Sequence, residues 1–348
     1  MKSEVIPFEN CPALDGYHCI TNSLAKIFHY NRCPLSEDML LGLGAGMGFI
    51  YRKIKFGSTS SIFIGGRGNN KDFFTDLGKR LGVKINSIST SSAPKAESTL
   101  LGLLKSKTPI MMFGDMGFLP WFDFPEEYHF GGHSFVICGF DGKETVLGSD
   151  MDQKSSGLKK GFYYPISLNQ LAKARNSSFK PFPPKNTRLD FDFSNFHQPK
   201  ADDIYSAIDQ CIDMQMNPPI KNIGIKGIRF SSKEILNWPE VFNDYDLRMN
   251  LFCLYIYLEI GGTGGGCFRY MYSRFLKEAA TICRNKELIK PAERIFKTGE
   301  LFTQIALLFQ KAETLTDLKP RIIKASEIFK DIADIEEEAY SELVQVVR

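Results

Sequence analysis

The chain of 348 residues is 43% hydrophobic, 24% charged and 13% aromatic, and its formal net charge is +3. That length suits two domains, each with an apolar core of its own. The small, scattered charge excludes nucleic acid as the expected partner, no apolar run is long enough to span a membrane, and no basic-then-apolar leader opens the chain. Eight cysteines, at 11, 19, 33, 138, 211, 253, 267 and 283, have no regular spacing. Cys138, Cys211 and Cys253 fall inside apolar periods, the pattern of reduced thiols in a cytoplasmic protein and not of a disulfide framework.

The first element is a Gly-containing turn running into an apolar-periodic segment. Ile20, Leu24, Ile27 and Phe28 recur at helical spacing, so a helix begins near Cys19. A thiol at a helix N-terminus faces unpaired N–H groups and the positive end of the dipole, which favour the thiolate. Asn31 and Pro34 end this helix, and a short one follows over 36–41 with Ser36 as its cap. The run Gly42-Leu-Gly-Ala-Gly-Met-Gly48 partly matches a dinucleotide fingerprint, but it follows a helix and not a strand. Close backbone packing, beside the Cys19 helix, is the expectation there.

From residue 61 the periods alternate. Strands are expected at 61–65, 83–88 and 109–113, and helices at 72–81 and 97–104. Residues 116–130 have neither period but carry Phe118, Trp121, Phe122, Phe124, Tyr128 and Phe130. Such a loop either packs over the core or lines a pocket. A strand starts at His133, Asp141-Gly142 signals a hairpin, and 143–150 returns. A helix is expected at 168–174. The Pro-, Asn- and Ser-rich stretch 176–200 reads as the domain boundary. The remainder reads as helical at 202–216, 241–260, 267–284, 293–312 and 320–347, with a short extended segment at 222–230. The expected domains are therefore 1–195 and 196–348. The glycines from 261 to 266 read as a close helix–helix turn; the alternative is an anion site helped by Arg269 and Arg274.

A cysteine nucleophile needs a base, and the base needs an orienting group. Of the five histidines, His18 projects away from Cys19, His29 is ten residues along the same helix, and His197 lies in the linker. His129 and His133 remain, and His133 opens a strand. With a two-residue turn at Asp141-Gly142, His133 lies opposite Asp150; a looser four-residue loop puts Asp152 there instead. The pair His129 and His133, with Glu126 and Glu127 nearby, also suggests a metal, but the intervening glycines deny the helix that would align them. No metal and no separate cofactor are expected.

Several stretches resemble one family. The order Cys at a helix start, His opening a strand, then Asp in the next strand is similar to papain-type cysteine peptidases, closer to their double-glycine-processing branch. His18-Cys19-x-x-Asn22-Ser23-Leu24, Pro34-Leu35-Ser36-Glu37 and Gly42-Leu-Gly44-x-Gly46 resemble the butirosin-biosynthesis acyltransferase family. Gly261-Gly262-Thr263-Gly264-Gly265-Gly266-x-Phe268-Arg269-x-Met271-Tyr272-x-Arg274-Phe275-Leu276 resembles the helical domain attached to it. A narrower similarity is to the amide-forming enzyme of closthioamide biosynthesis.

The resemblance implies an α+β, papain-like catalytic domain followed by a mostly helical one. It implies an antibiotic-pathway enzyme that moves an acyl group from an acyl or peptidyl carrier protein to an amine or diamine. The carrier's own phosphopantetheine would bring the thioester. Cys19 is then the nucleophile, His133 the base and Asp150 its orienter. One departure is that no Gln lies at 11–18, where the peptidases place an oxyanion donor. Tyr17 and Asn22 are the substitutes to consider, beside the Cys19 N–H. Trp121 and Phe124 are expected to line the substrate pocket and exclude water, and Asp123, Glu126 and Glu127 to attract a cationic amine. The competing readings are a cysteine peptidase and a binding module with a structural Cys19.

Overall fold

The computed structural model describes residues 5–56, 59–67, 72–125, 127–152 and 157–348. In chain order, α1 (Cys19–Tyr30) and α2 (Glu37–Leu43) precede β1 (Met47–Phe56), β2 (Thr59–Arg67), α3 (Phe73–Leu81), β3 (Lys84–Ile88), α4 (Ala93–Lys105) and β4 (Ile110–Gly114). Then come β5 (His133–Phe140), β6 (Thr145–Met151), β7 (Gly161–Ser167), α5 (Leu168–Arg175) and β8 (Arg188–Asp192). Helices α6 (Ala201–Met216), α7 (Gly224–Val241), α8 (Asp244–Tyr255), α9 (Arg269–Ile282), α10 (Ile289–Leu308) and α11 (Leu318–Val347) complete the chain. Two compact units result, residues 1–40 with 81–198 and residues 41–80 with 199–348.

The first unit is α+β. Its sheet runs β3-β8-β4-β5-β6-β7, and every neighbouring pair is antiparallel. β5 is buried along nearly its whole length, as its unbroken apolar run requires for a central strand. Helix α1 packs on β5 through the buried side chains of Leu24, Ile27 and Phe28. Local caps start the other helices. Ser92 Oγ accepts from Lys95 N at 3.3 Å to begin α4, and Ser167 Oγ accepts from Gln170 N at 3.1 Å to begin α5.

Two expectations fail here. Part of the supposed linker is β8, which pairs with both β3 and β4. Its Leu189 is buried, so five alternating residues suffice to fill the gap, although the surrounding prolines read as loop. The two-residue turn fails too: the β5–β6 connection is the looser alternative, a four-residue loop over 141–144. Asp141 Oδ1 accepts from the N–H groups of Lys143, Glu144 and Thr145, which holds a wider loop.

The second unit joins the β1–β2 hairpin to the helices that follow residue 199. Strand β1 begins at Met47, at the end of the glycine-rich stretch 42–48 expected to be loop. Gly42 lies against the Phe275 ring so closely that a side chain there would collide with it, and Gly44 lies likewise against Phe73. Residues 222–230, expected to be extended, are instead largely the start of α7, because their apolar residues bury on helical spacing. The long helix expected over 241–260 starts instead at Asp244, where the Asn243 side chain accepts from Asp246 N at 2.9 Å and caps α8, and it continues past α8 as a π-helical turn over Ile256–Ile260.

The glycines before α9 form a close helix–helix turn. Gly266 has φ +53°, and a Cβ there would stand 2.8 Å from Gly299 Cα. Its N–H donates to Glu259 Oε2 at 3.1 Å. Arg269 is fully buried and donates through Nε and Nη2 to Glu336, at 2.8 and 3.1 Å. Its Nη1 donates to the carbonyls of Gly48 and Cys267. Four of its five N–H donors are thus engaged within the core.

Candidate active site

The turn into α1 is held from outside itself. His18, the residue before the helix, is extended and makes no side-chain cap. Glu37 supplies that function from the first turn of α2. Its Oε1 accepts from Tyr17 N at 2.8 Å, and its Oε2 from His18 N at 3.2 Å and Thr21 Oγ1 at 2.6 Å. Asn22 Nδ2 donates to the carbonyls of Leu14 and Asp15. Both contacts fix the backbone that delivers Cys19. The first N–H groups of α1 lack intrahelical partners and point at the start of the helix.

Opposite this turn, β5 begins with His133. Its Nε2 lies 2.7 Å from Asp150 Oδ2 on β6. Asp150 Oδ2 also accepts from Trp121 Nε1 at 2.8 Å, and Oδ1 from Met151 N at 2.8 Å. With Nε2 engaged, Nδ1 is the ring nitrogen left for Cys19, whose thiol is shifted by the His133 ring and the Ser134 N–H.

Each group is charged by the others. Burial pushes the Cys19 thiol up, but the hydrogen bond and charge of His133, with the Ser134 N–H, outweigh it and bring the thiol below its ordinary value. Burial pulls His133 down; the Asp150 charge and hydrogen bond reverse this and push the imidazole up to about 10. Burial raises Asp150, and the His133 charge more than compensates, so its carboxyl sits below the usual range. These shifts all favour a thiolate beside an imidazolium, braced by a carboxylate.

The aromatic loop wraps this pair. Phe122 stands edge-on to the His133 ring, centroids 5.1 Å apart. Trp121 stacks on Tyr164 at 4.9 Å and meets Phe135 edge-on. The loop is tied at its base by Asp115, which is fully buried. Asp115 accepts from Gly117 N, Phe130 N, His129 Nδ1 and Ser177 Oγ. His129 in turn stacks flat on Phe179, 3.4 Å between centroids. His129 and His133 thus serve different carboxylates. Among the described residues, no group of three or more His, Cys, Asp or Glu is placed to hold a metal.

Residues 18–150, which contain this whole constellation, match the family described as butirosin biosynthesis protein H, N-terminal. The chain belongs to the butirosin-biosynthesis acyltransferase family. Residues 169–343 match a domain of unknown function (DUF4872). No curated protein matches the chain. No helix among the described residues is long and apolar enough to cross a membrane.

For this family member the site residues expected from sequence divide into two groups. Cys19, His133, Asp150 and Trp121 come together. Asn22 does not face a substrate: it is buried and its amide donates to backbone carbonyls. Tyr17 is half-buried with its N–H committed to Glu37. Phe124 stacks on Phe122 at 5.4 Å and is 39% exposed, so Phe122 is the ring against His133. Asp123 and Glu127 are exposed on the loop; Glu126 lies outside the described residues. Trp121 reaches Asp150 by its indole N–H and so helps to hold that carboxylate in place. Sequence reasoning missed Glu37 and Asp115 as parts of the site, and it had Phe122 only as one ring of the aromatic loop, not as the ring against His133.

Proposed function

We propose that the chain is a thiol-dependent N-acyltransferase of papain-like fold that makes an amide from a carrier-protein thioester and an amine. The observation that carries the reading is the 2.7 Å contact of His133 Nε2 with Asp150, which leaves Nδ1 to a thiol at a helix start. Family membership ties this chemistry to antibiotic biosynthesis. Cys19 thiolate attacks the thioester carbonyl, and the tetrahedral intermediate expels the carrier's phosphopantetheine thiol, which takes its proton from the His133 imidazolium. One thioester replaces another, so the step is nearly balanced in energy. The amine then adds to the acyl-Cys19 carbonyl. His133, now neutral, accepts the amine's proton as the C–N bond forms. Cys19 leaves as the thiolate and the ion pair is restored. No further cofactor enters; the phosphopantetheine belongs to the substrate.

Transfer rather than hydrolysis requires that water be kept from the acyl-enzyme. Phe122, set against the base, supports that role for the loop. The deciding experiment is intact-mass analysis after mixing with acyl-loaded carrier proteins. The wild type should gain the acyl mass at Cys19 and lose it to an added amine or diamine, and Cys19→Ala should do neither. Cleavage of free peptides without any carrier would instead make it a peptidase.

A further inference from the structure

One part of the acylation machinery has no owner so far. The developing oxyanion needs two donors. The Cys19 N–H, first in α1, is one. The nearby N–H groups of Tyr17 and His18 go to Glu37, and the Asn22 amide goes to Leu14 and Asp15. We propose that the Lys159 ammonium is the second donor, binding the thioester oxygen as it becomes an oxyanion on Cys19. This rests on the acyl-transfer reading above.

Lys159 is placed by backbone pairing. Gly16 N donates to Lys159 O at 2.9 Å and Lys159 N to Gly16 O at 2.7 Å, so the two strands of chain are locked together three residues before Cys19. Lys159 is only 2% exposed. Burial of an ammonium is unfavourable unless negative charge faces it. Burial pulls Lys159 down here, and the charges of Cys19, then Asp150, Asp152 and Glu37, oppose that pull. The Cys19 charge stands first among those that keep the ammonium charged. The other buried lysine of this region, Lys26, sits seven residues along α1, about 10 Å down the axis from Cys19 and away from the helix start. Position thus separates the two: Lys159 pairs through its backbone with the turn three residues before Cys19, whereas Lys26 lies farther down α1. A charged donor also suits a thioester, whose oxygen is a poorer acceptor than an amide's until charge develops on it.

The step balances without any added reagent. Cys19 sulfur forms a bond to the carbonyl carbon, the C=O electron pair moves to oxygen, and Lys159 holds that charge by a hydrogen bond without giving up its proton. Collapse of the intermediate returns the pair and breaks the bond to the carrier sulfur.

The test compares two reactions of Cys19 in the full chain. Acylation by an acetyl-N-acetylcysteamine thioester develops an oxyanion; alkylation by iodoacetamide does not. Lys159→Met should slow acylation about 100- to 1000-fold, as loss of one oxyanion donor does. The plateau rate of alkylation should stay within about threefold of the wild type. Lys159→Gln, which keeps a neutral donor, should recover part of the loss. Equal acylation rates in Lys159→Met and wild type, or a parallel fall in both reactions, overturns the proposal. If neither variant folds, the lysine is structural and the proposal falls. If the wild type itself gains no acyl mass, the acyl-transfer reading fails first and this one with it.

Discussion

His133 and Asp150 form a 2.7 Å hydrogen bond without being direct partners in the β5–β6 ladder. Near the turn, Phe140 pairs with Val146 and Gly139 with Leu147; beyond Cys138, Ile137 pairs with Gly148 and Val136 with Ser149. The ladder slips by one residue at Cys138. Continued without that slip, the register near the turn would put Asp150 on the opposite face of the sheet from His133, since a one-residue shift flips every side chain. The bulge restores the face, and the pair meets diagonally, within reach across the ladder. A two-residue turn places Asp150 directly opposite; the observed wider loop keeps the contact only because the bulge offsets it.

The ion pair predicts a pH profile. Iodoacetamide should alkylate Cys19 with a midpoint below the free-thiol value of about 8.5. The imidazolium should persist until pH approaches about 10. Asp150→Asn removes the charge that raises His133, so the imidazolium is lost earlier and the thiol midpoint rises by roughly 1–2 units. A raised histidine stabilises the fold below its ordinary pKa, and this contribution is lost as pH rises through the folded value. Asp150→Asn should therefore lower the melting temperature more at pH 6 than at pH 10. Turnover should fall about 100- to 10,000-fold, as when a catalytic histidine loses its orienting carboxylate.

Trp121 and Phe122 are adjacent but should behave differently. Trp121→Phe keeps a ring against Tyr164 and Phe135 and removes the N–H that meets Asp150. A hydrogen bond to a charged group contributes about 1.5–3 kcal/mol, so acylation should slow at least about tenfold. The ratio of amide to free acid should not change, because Trp121 acts through Asp150. Phe122→Ala opens the face of His133 and should shift that ratio toward free acid, with Cys19 acylation largely kept. Product analysis by chromatography separates the two outcomes.

Asp115→Ala should loosen the whole aromatic loop. It strands the Gly117 and Phe130 N–H groups, the Ser177 hydroxyl and the His129 ring. Buried donors without acceptors cost about 1–3 kcal/mol each, partly relieved by water, so a net loss of about 2–4 kcal/mol is expected in denaturant titration. Proteolysis should then cut first between residues 116 and 130.

Arg269 and Glu336 are structural partners in the helical unit. Arg269→Met leaves a buried carboxylate alone and should lose about 3–5 kcal/mol. Arg269→Met combined with Glu336→Leu should recover most of it. An anion-binding role would make the double variant as defective toward carrier substrates as the single one. Equal carrier kinetics in a folded double variant would exclude that role.

What the sequence by itself determined is local. The helix starting at Cys19, the strand starting at His133 and the caps at Ser36, Ser92 and Ser167 depend on residues within a turn or two of one another. Apolar period and capping chemistry act over that range, so the order Cys, His, Asp could be read directly. Tertiary structure decided everything that requires two distant segments to agree. The bulge at Cys138 chose which face Asp150 occupies. β8 entered the sheet from a stretch that reads as linker. Glu37, Asp115 and Lys159 became parts of one site because packing carried them there, and a single charged residue has no period to announce it. Trp121 is the clearest case: its aromatic surroundings were visible in the chain, but the hydrogen bond that assigns it to Asp150 spans 29 residues and exists only once the sheet has formed.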